Sequence, residues 1–539
     1  MTFWKNSGFI ENFGGIKGII DEFNGKGDNT TVVDEYEVGP YRVRILCLEG
    51  GEFKYVAEDV LLESFGRRII DQVARDVSAV PFKVGVHKLD DIIFSVKEAA
   101  IKVISRYFKL SYDEVERMAE SATFNCIGLA SIAPFLLDDK VEEVYFDGRN
   151  RSAYLDHRDW GRCITDVVLS DEEVERILSR IRLESGFQLD DANPSLKTEV
   201  ITRKFRVRVL ATTTPLAAEG FMINFRRMRD EPYTIPELIF NGTISAKAAA
   251  YLLFLILRRF NICVVGEPKT GKTTLINALD ILVPLSWRRI YIEDAVESLA
   301  LHNYGAHQAK VKVKPPEEGG EREKAKEITQ LLHRSPDWVY LGEIRSVEDS
   351  QAMFHALTSG LVGLQTCHGK SVEDVILRWV IHHKIPPASL KSLDVIVEVK
   401  RYLTLYGGVK RRVVRITEAC DDPDLFFDLE TIFSKNAFIS TFVWDPKLET
   451  LQLTTCLTET PSFKKTCEIY GLDENEVLNE IETYEEILRR MSEKRLFNVR
   501  DNIIVINRLY KLLENKKREC NKWTKIKEEV VKFIEERAG

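Results

Sequence analysis

The 539 residues contain no CxxC pair, no apolar run of membrane-spanning length and no excess of positive charge. Each absence removes a class of protein. The nine cysteines are odd in number and scattered, which argues against a structural zinc site and fits free thiols in a reducing compartment. The most apolar stretch, Ala248 to Leu257, stops at Arg258 and Arg259. A spanning helix needs about 20 apolar residues, so this one reads as a buried helix. Met1 to Phe13 carries Glu11 and lacks the apolar core of a secretion signal. A cytoplasmic chain is therefore expected, held at a membrane only through a partner. Acidic residues outnumber basic ones, 84 to 76, giving a net charge of −8. That leaves no global basic field, and direct nucleic-acid binding is not expected. Low-complexity tracts and solenoid-period repeats are also missing.

What remains is ordinary globular composition, 44% hydrophobic and 30% charged. At roughly 150 residues per domain the length suggests three or four domains. Gly14, Gly15, Gly25 and Gly27 mark early turns, and Tyr41 to Leu46 alternates as a strand does. The expected division is an N-terminal α/β domain over 1–115, a middle α/β domain over 116–230, a linker over 231–243 opened by Glu231-Pro232, an α/β domain over 244–420, and a mainly helical tail over 421–539. In the middle domain, strands are expected at 141–146, 152–155, 206–210 and 221–225, and Ser170 before three acids is a helix N-cap. From Asn261 the text alternates: β-rich runs at 262–265, 289–292, 338–341, 361–366 and 395–399, with helical stretches between them. Such alternation predicts a mostly parallel sheet covered on both faces. Pro315 to Glu323 reads as an exposed loop, and the tail as one strand near 440–444 followed by helices.

Gly266-Glu267-Pro268-Lys269-Thr270-Gly271-Lys272-Thr273 fits G-x-x-x-x-G-K-[ST], with an apolar strand before it and a helix from Thr274 after it. Backbone N–H groups and a helix N-terminus then cradle phosphates, Lys272 pairs the β- and γ-phosphates of ATP, and Thr273 ligates Mg²⁺. Glu293, in Glu293-Asp294-Ala295-Val296-Glu297, closes the next β-run, where a carboxylate can position water or metal. Glu343 follows Trp338 to Leu341, at the carboxyl end of a core strand, and is placed to orient or deprotonate a water. His368 ends the next run and is a candidate γ-phosphate sensor.

Taken in this order, the segments resemble the secretion-system ATPase superfamily of type II secretion, type IV pili, archaella and conjugation machines. The glycine loop carries the clearest match. The acidic box is similar to Glu293 through Glu297, the Walker B segment to Ser335-Pro336-Asp337 through Glu343-Ile344-Arg345, and the histidine box to Thr358-Ser359-Gly360 through His368. Ile385-Pro386 and Leu393-Asp394 follow the family pattern, as do Glu142-Glu143-Val144, His157-Arg158, Ala192-Asn193-Pro194 and Phe225-Arg226-Arg227 upstream. The likeness runs from about Phe124 to Glu418. A missing four-cysteine module favours the archaeal branch. Two departures stand out: His333 where the family has arginine, and Leu361 where it has a second histidine.

The resemblance implies a RecA-like P-loop ATPase domain and a homohexamer. It also implies a polytopic membrane platform protein as partner and a place at the inner face of the cell membrane. Nucleotide would then lie between middle and motor domains, which makes Arg226, with Arg227 and Arg206, a candidate charge-neutralising cation. A retraction or conjugative DNA-transfer motor, and a non-hydrolysing nucleotide-gated scaffold, are the rival readings.

Overall fold

A computed structural model describes residues 30–60, 72–73, 75–77, 88–229, 231–314, 323–403, 409–515 and 522–538. The segment Met1–Phe13, the turns expected at Gly14, Gly15, Gly25 and Gly27, and nearly all of the loop expected from Pro315 lie outside them. The described residues form two compact units, falling within 1–230 plus 403–409 and within 231–402 plus 410–539. The five-part division expected from the sequence is finer than this.

The first unit is built on nine strands: β1 (Thr31–Val38), β2 (Tyr41–Cys47), β3 (Phe53–Asp59), β4 (Val141–Phe146), β5 (Tyr154–His157), β6 (Gly161–Thr165), β7 (Ser195–Ile201), β8 (Arg206–Thr213) and β9 (Phe221–Met228). Their order is β1-β2-β3-β6-β5-β4-β9-β8-β7, antiparallel throughout except that β3 runs parallel to β6. Alternate residues, such as Val43 and Ile45, or Val207, Val209 and Ala211, enter one core with apolar residues of helices α1 (Leu89–Tyr107), α2 (Tyr112–Cys126) and α3 (Asp171–Ser185). The expected cap at Ser170 is a full capping box: its hydroxyl accepts from the Glu173 N–H and the Glu173 carboxylate accepts from the Ser170 N–H.

The second unit carries β10 (Ile262–Gly266), β11 (Arg289–Glu293), β12 (Gln308–Lys312), β13 (Trp338–Ile344), β14 (Gly363–His368), β15 (Val395–Leu403), β16 (Val409–Ala419), β17 (Phe438–Asp445) and β18 (Thr450–Leu453), in the order β12-β11-β13-β14-β10-β15-β16-β17-β18. The five pairings from β12 to β15 are parallel, as the β–α alternation predicts. Helices α4 (Ala246–Leu257), α5 (Lys272–Asp280), α6 (Glu323–Gln330), α7 (Val347–Thr358) and α8 (Val372–Leu377) are followed by a helical tail: α9 (Pro461–Tyr470), α10 (Glu474–Glu493), α11 (Val499–Asn515) and α12 (Lys522–Ala538). The sheet divides its side chains between two cores. Ile262, Val264, Tyr340 and Val397 face one, with α4, α5 and the tail; Cys263, Val265, Leu341 and Ile396 face the other, with α6, α7 and α8.

Some expectations need correction. The tail holds two strands rather than one, and both extend the second unit's sheet. β14 begins at Gly363 rather than Leu361, because the Leu361 N–H closes the end of α7 on the Ala356 carbonyl. β5 runs two residues later than 152–155. Residues 235–240, inside the expected linker, form a short helix with Ile235, Pro236 and Leu238 buried.

Candidate active site

β10 is fully buried, and its last residue opens the loop that ends at α5. The loop's shape accounts for its sequence. A Cβ at Gly266 would sit 2.5 Å from the Val399 carbonyl oxygen and 2.6 Å from Thr270 Oγ1, so only glycine fits. Gly271 caps α5 with φ +95°, and Lys269 also has positive φ, a strained backbone of the kind found at binding loops. Glu267, Pro268 and Lys269 form the exposed apex, while Thr270 is buried and donates its hydroxyl to the Glu267 carbonyl at 2.8 Å. Arg411 of β16 donates to the Lys269 carbonyl at 3.2 Å. Thr273 and Thr274 lie half-buried on the first turn of α5.

Lys272 is 6% exposed. Burial pulls its ammonium below the usual lysine range, against the opposing charge of Glu343. Its Nζ donates to the Glu267 carbonyl at 3.0 Å and approaches His368 Nδ1 at 3.1 Å. His368 Nε2 donates to Glu343 Oε1, which also lies 4.0 Å from Lys272 Nζ. The ring thus stands between Lys272 and Glu343, one nitrogen toward each.

Three carboxyl-terminal strand ends thus converge: Gly266 of β10, Glu343 of β13 and His368 of β14. The register explains how. A bulge at Gly342 makes Glu343, not Gly342, the partner of Thr366, and brings the acid beside His368. Arg345 Nε donates to Glu343 Oε2 at 2.7 Å. Burial raises the Glu343 carboxyl, but the His368 hydrogen bond and the charges of His368 and Arg345 outweigh it and hold the group at about 2.

Glu293 has a different environment. It is 2% exposed, and its Oε1 accepts the N–H groups of Glu297 and Ser298 at 3.0 and 2.9 Å, while Oε2 accepts the Ser298 hydroxyl at 2.5 Å. Burial raises its pKa. This carboxylate folds its own loop. Asp294 instead faces two cations, Lys324 Nζ and Arg345 Nη1, each at 3.4 Å. Burial pushes Asp294 up, and those two charges bring it below the usual range. Asn277 of α5 ties the region together: it donates to the Glu297 carbonyl at 2.8 Å and accepts from the Tyr340 hydroxyl at 2.9 Å.

Lys272, Glu343 and His368 therefore meet, and Glu293 lies on the adjoining strand end. Arg226 belongs to the first unit, exposed on β9 between Glu143 and Arg208. Arg227 is held within that unit by the Leu136 carbonyl and Asp139. Sequence reasoning placed Asp294 in the acidic segment with Glu293 but did not single out Lys324, Arg345 or Arg411. Arg345 was findable, two residues beyond the acid on an extended backbone. For Lys324 and Arg411, far away in the chain, no local pattern pointed to the site. Among the described residues no cluster of three His, Cys, Asp or Glu makes a metal cage, and no helix is long and apolar enough to cross a membrane.

A family model described as type II/IV secretion system protein matches residues 129–399. An uncharacterized protein of Methanocaldococcus jannaschii is 33% identical over 264 residues, 47% of this chain and 90% of that protein. A putative conjugal transfer protein of Mycobacterium tuberculosis is 28% identical over 257 residues, 47% of this chain and 72% of that protein. Among solved structures, the pilus retraction motor PilT with bound ADP is similar at 17% identity and a TM-score of 0.41, covering 57% of this chain and 88% of that one.

Proposed function

The chain belongs to the type II/IV secretion system protein family, and from that premise we propose that it hydrolyses ATP to drive assembly of a pilus-like filament or a type II-like secretion machine. The observation that carries the reading is the meeting of Lys272, His368 and Glu343 at the carboxyl ends of adjacent strands, over a glycine loop shaped for phosphate. In this reading Lys272 leaves the Glu267 carbonyl and His368 for the β- and γ-phosphates, and the Gly266–Thr274 backbone cradles them. Glu343, held ionised, orients the attacking water; a carboxyl at about 2 is a weak proton acceptor, so positioning is its larger part. His368 bridges the lysine and the acid, and so registers whether a phosphate has drawn Lys272 away.

The residues present suit a magnesium ion. A walled cage is not needed, because Mg²⁺ beside a nucleotide keeps phosphate and water oxygens and asks the protein for one or two hard donors. The Thr273 hydroxyl is the donor of that kind on α5, and the ion would supply charge neutralisation at the phosphates. Glu293, bound into its own loop, is the weaker candidate for the water. A homohexamer, Arg226 reaching a nucleotide, and a polytopic membrane platform protein as partner complete the proposal. A place at the inner face of the membrane follows through that partner.

The test is steady-state turnover with a parallel nucleotide-binding measurement. Lys272→Ala is expected to abolish hydrolysis, and Glu343→Gln to bind ATP while losing about 100-fold or more in kcat. Retained turnover in Lys272→Ala overturns the assignment. A conjugative DNA motor is a second reading, favoured by the similarity to the conjugal transfer protein. Stimulation of turnover by DNA would support it.

A further inference from the structure

Lys324, on the first turn of α6, is only 4% exposed. A buried ammonium persists only where its charge and its N–H groups are answered. Here they are answered by the catalytic neighbourhood. Lys324 Nζ donates to the main-chain carbonyl of Glu343 at 2.5 Å and stands 3.4 Å from Asp294 Oδ1. The other Asp294 oxygen faces Arg345 Nη1 at 3.4 Å, and Arg345 Nε donates to Glu343 Oε2 at 2.7 Å. The contacts close a ring: Lys324, Asp294, Arg345, the Glu343 carboxylate, and the Glu343 carbonyl back to Lys324. Three separate pieces of chain contribute, namely the segment after β11, the start of α6 and the end of β13.

We infer that Lys324 is a positioning residue for Glu343, fixing its main chain directly and its carboxylate through Asp294 and Arg345. Gly342 interrupts the regular pairing of β13 with β14 just before the acid, and the ladder resumes at Glu343 opposite Thr366. The register thus sets which way Glu343 faces, and the ring adds contacts from outside the sheet to its carbonyl and its carboxylate. Lys324 supplies a donor from outside the sheet at that carbonyl, and keeps Asp294 ionised beside Arg345. It has no part in the phosphate loop, so its loss should leave nucleotide affinity standing. A misplacement of ~1 Å in a catalytic group can cost about 100-fold in rate.

This inference rests on the ATP-hydrolysis reading, and the experiment separates the two. Full-length wild type, Lys324→Met and the double variant Lys324→Met/Asp294→Asn are compared for kcat, and for affinity toward a fluorescent ATP analogue. The double variant removes both charges, so it avoids a buried carboxylate that has lost one of its two cations if the single variant fails to fold. The expected result is a fall of at least about tenfold in kcat for both variants, with affinity within about twofold of wild type. A kcat within twofold of wild type in whichever variant folds overturns the inference, as does an equal loss of affinity and rate. Wild type that binds ATP and never turns it over defeats the hydrolysis reading itself, and this inference with it.

Discussion

At the residue scale, two acids that look alike in the sequence part company in their surroundings. Glu293 and Glu343 each close a core strand, yet one is enclosed by its own loop and the other faces three cationic or protic side chains. The consequence can be read against pH. The Glu343 carboxyl is lowered from 4.5 to about 2 on folding. A depressed carboxyl contributes stability that is present above the unfolded value and is lost as pH falls toward the folded one. The urea-midpoint difference between wild type and Glu343→Gln should therefore move against wild type as pH falls from about 4.5 toward 2. A difference that stays constant from about pH 5 to 3 would show that the carboxyl is not depressed. Lys272, Glu343 and His368 were legible because each follows a β-run that local pattern reveals. The partners that tune them, Lys324 above all, come from helices and strands far along the chain. Only the folded sheet brings them near.

At the element scale, five parallel strands, β10, β11, β13, β14 and β15, were legible because they are largely apolar runs bounded by turn residues. β12, β16 and β18 were not. β12 reads Gln-Ala-Lys-Val-Lys, polar as an edge strand should be. In β16, Val409 is followed by Lys410-Arg411-Arg412, which masks its apolar second half, and β18 has only four residues. Two glycines around β14 separate close packing from backbone conformation. A Cβ on Gly363 would lie 1.9 Å from the Val339 carbonyl oxygen, whereas Gly360 has open space but φ +93°. Gly363→Ala should thus cost about 3 kcal/mol or more by forcing β14 off β13, and Gly360→Ala only about 1–2 kcal/mol of strain. Equilibrium urea denaturation of both variants checks the order, and the reverse order would refute the strand contact.

At the scale of the whole molecule, the tail shares its core with the nucleotide-site unit. Tyr251, Leu253 and Phe254 of α4 lie in one apolar cluster with Ile481, Tyr484 and Leu488 of α10, Ile506 and Leu509 of α11, and Ile526 of α12. Glu418 of β16, fully buried, accepts from the Tyr251 hydroxyl at 2.9 Å, the Thr441 hydroxyl at 2.6 Å and the Ser462 N–H at 3.0 Å, joining four segments at one carboxylate. Burial raises that carboxyl, and the hydrogen bonds oppose the shift. A chain ending at residue 420 would bare this cluster and take from Glu418 the Thr441 and Ser462 donors, leaving only Tyr251 of the three. It should lose near-UV circular dichroism and aggregate rather than persist as a separate motor. A soluble truncation with a cooperative melt would contradict this. The sequence suggested a tail of its own because helical spacing shows that a face is apolar without showing what that face covers.

The bulge at Gly342 also has an arithmetic side. Along β13 the odd positions, Val339 and Leu341, belong to one core; past the bulge the even position Ile344 belongs to it. Counting by twos is valid up to Leu341 and changes parity after it. Deleting Gly342 would therefore leave both neighbours where they stand, Glu343 opposite Thr366 and Ile344 opposite Cys367, because the extra residue is the one taken away. Flattening the bulge with Gly342 still in place is what would exchange them, carrying the acid toward the oily interior while the isoleucine took its station beside the histidine.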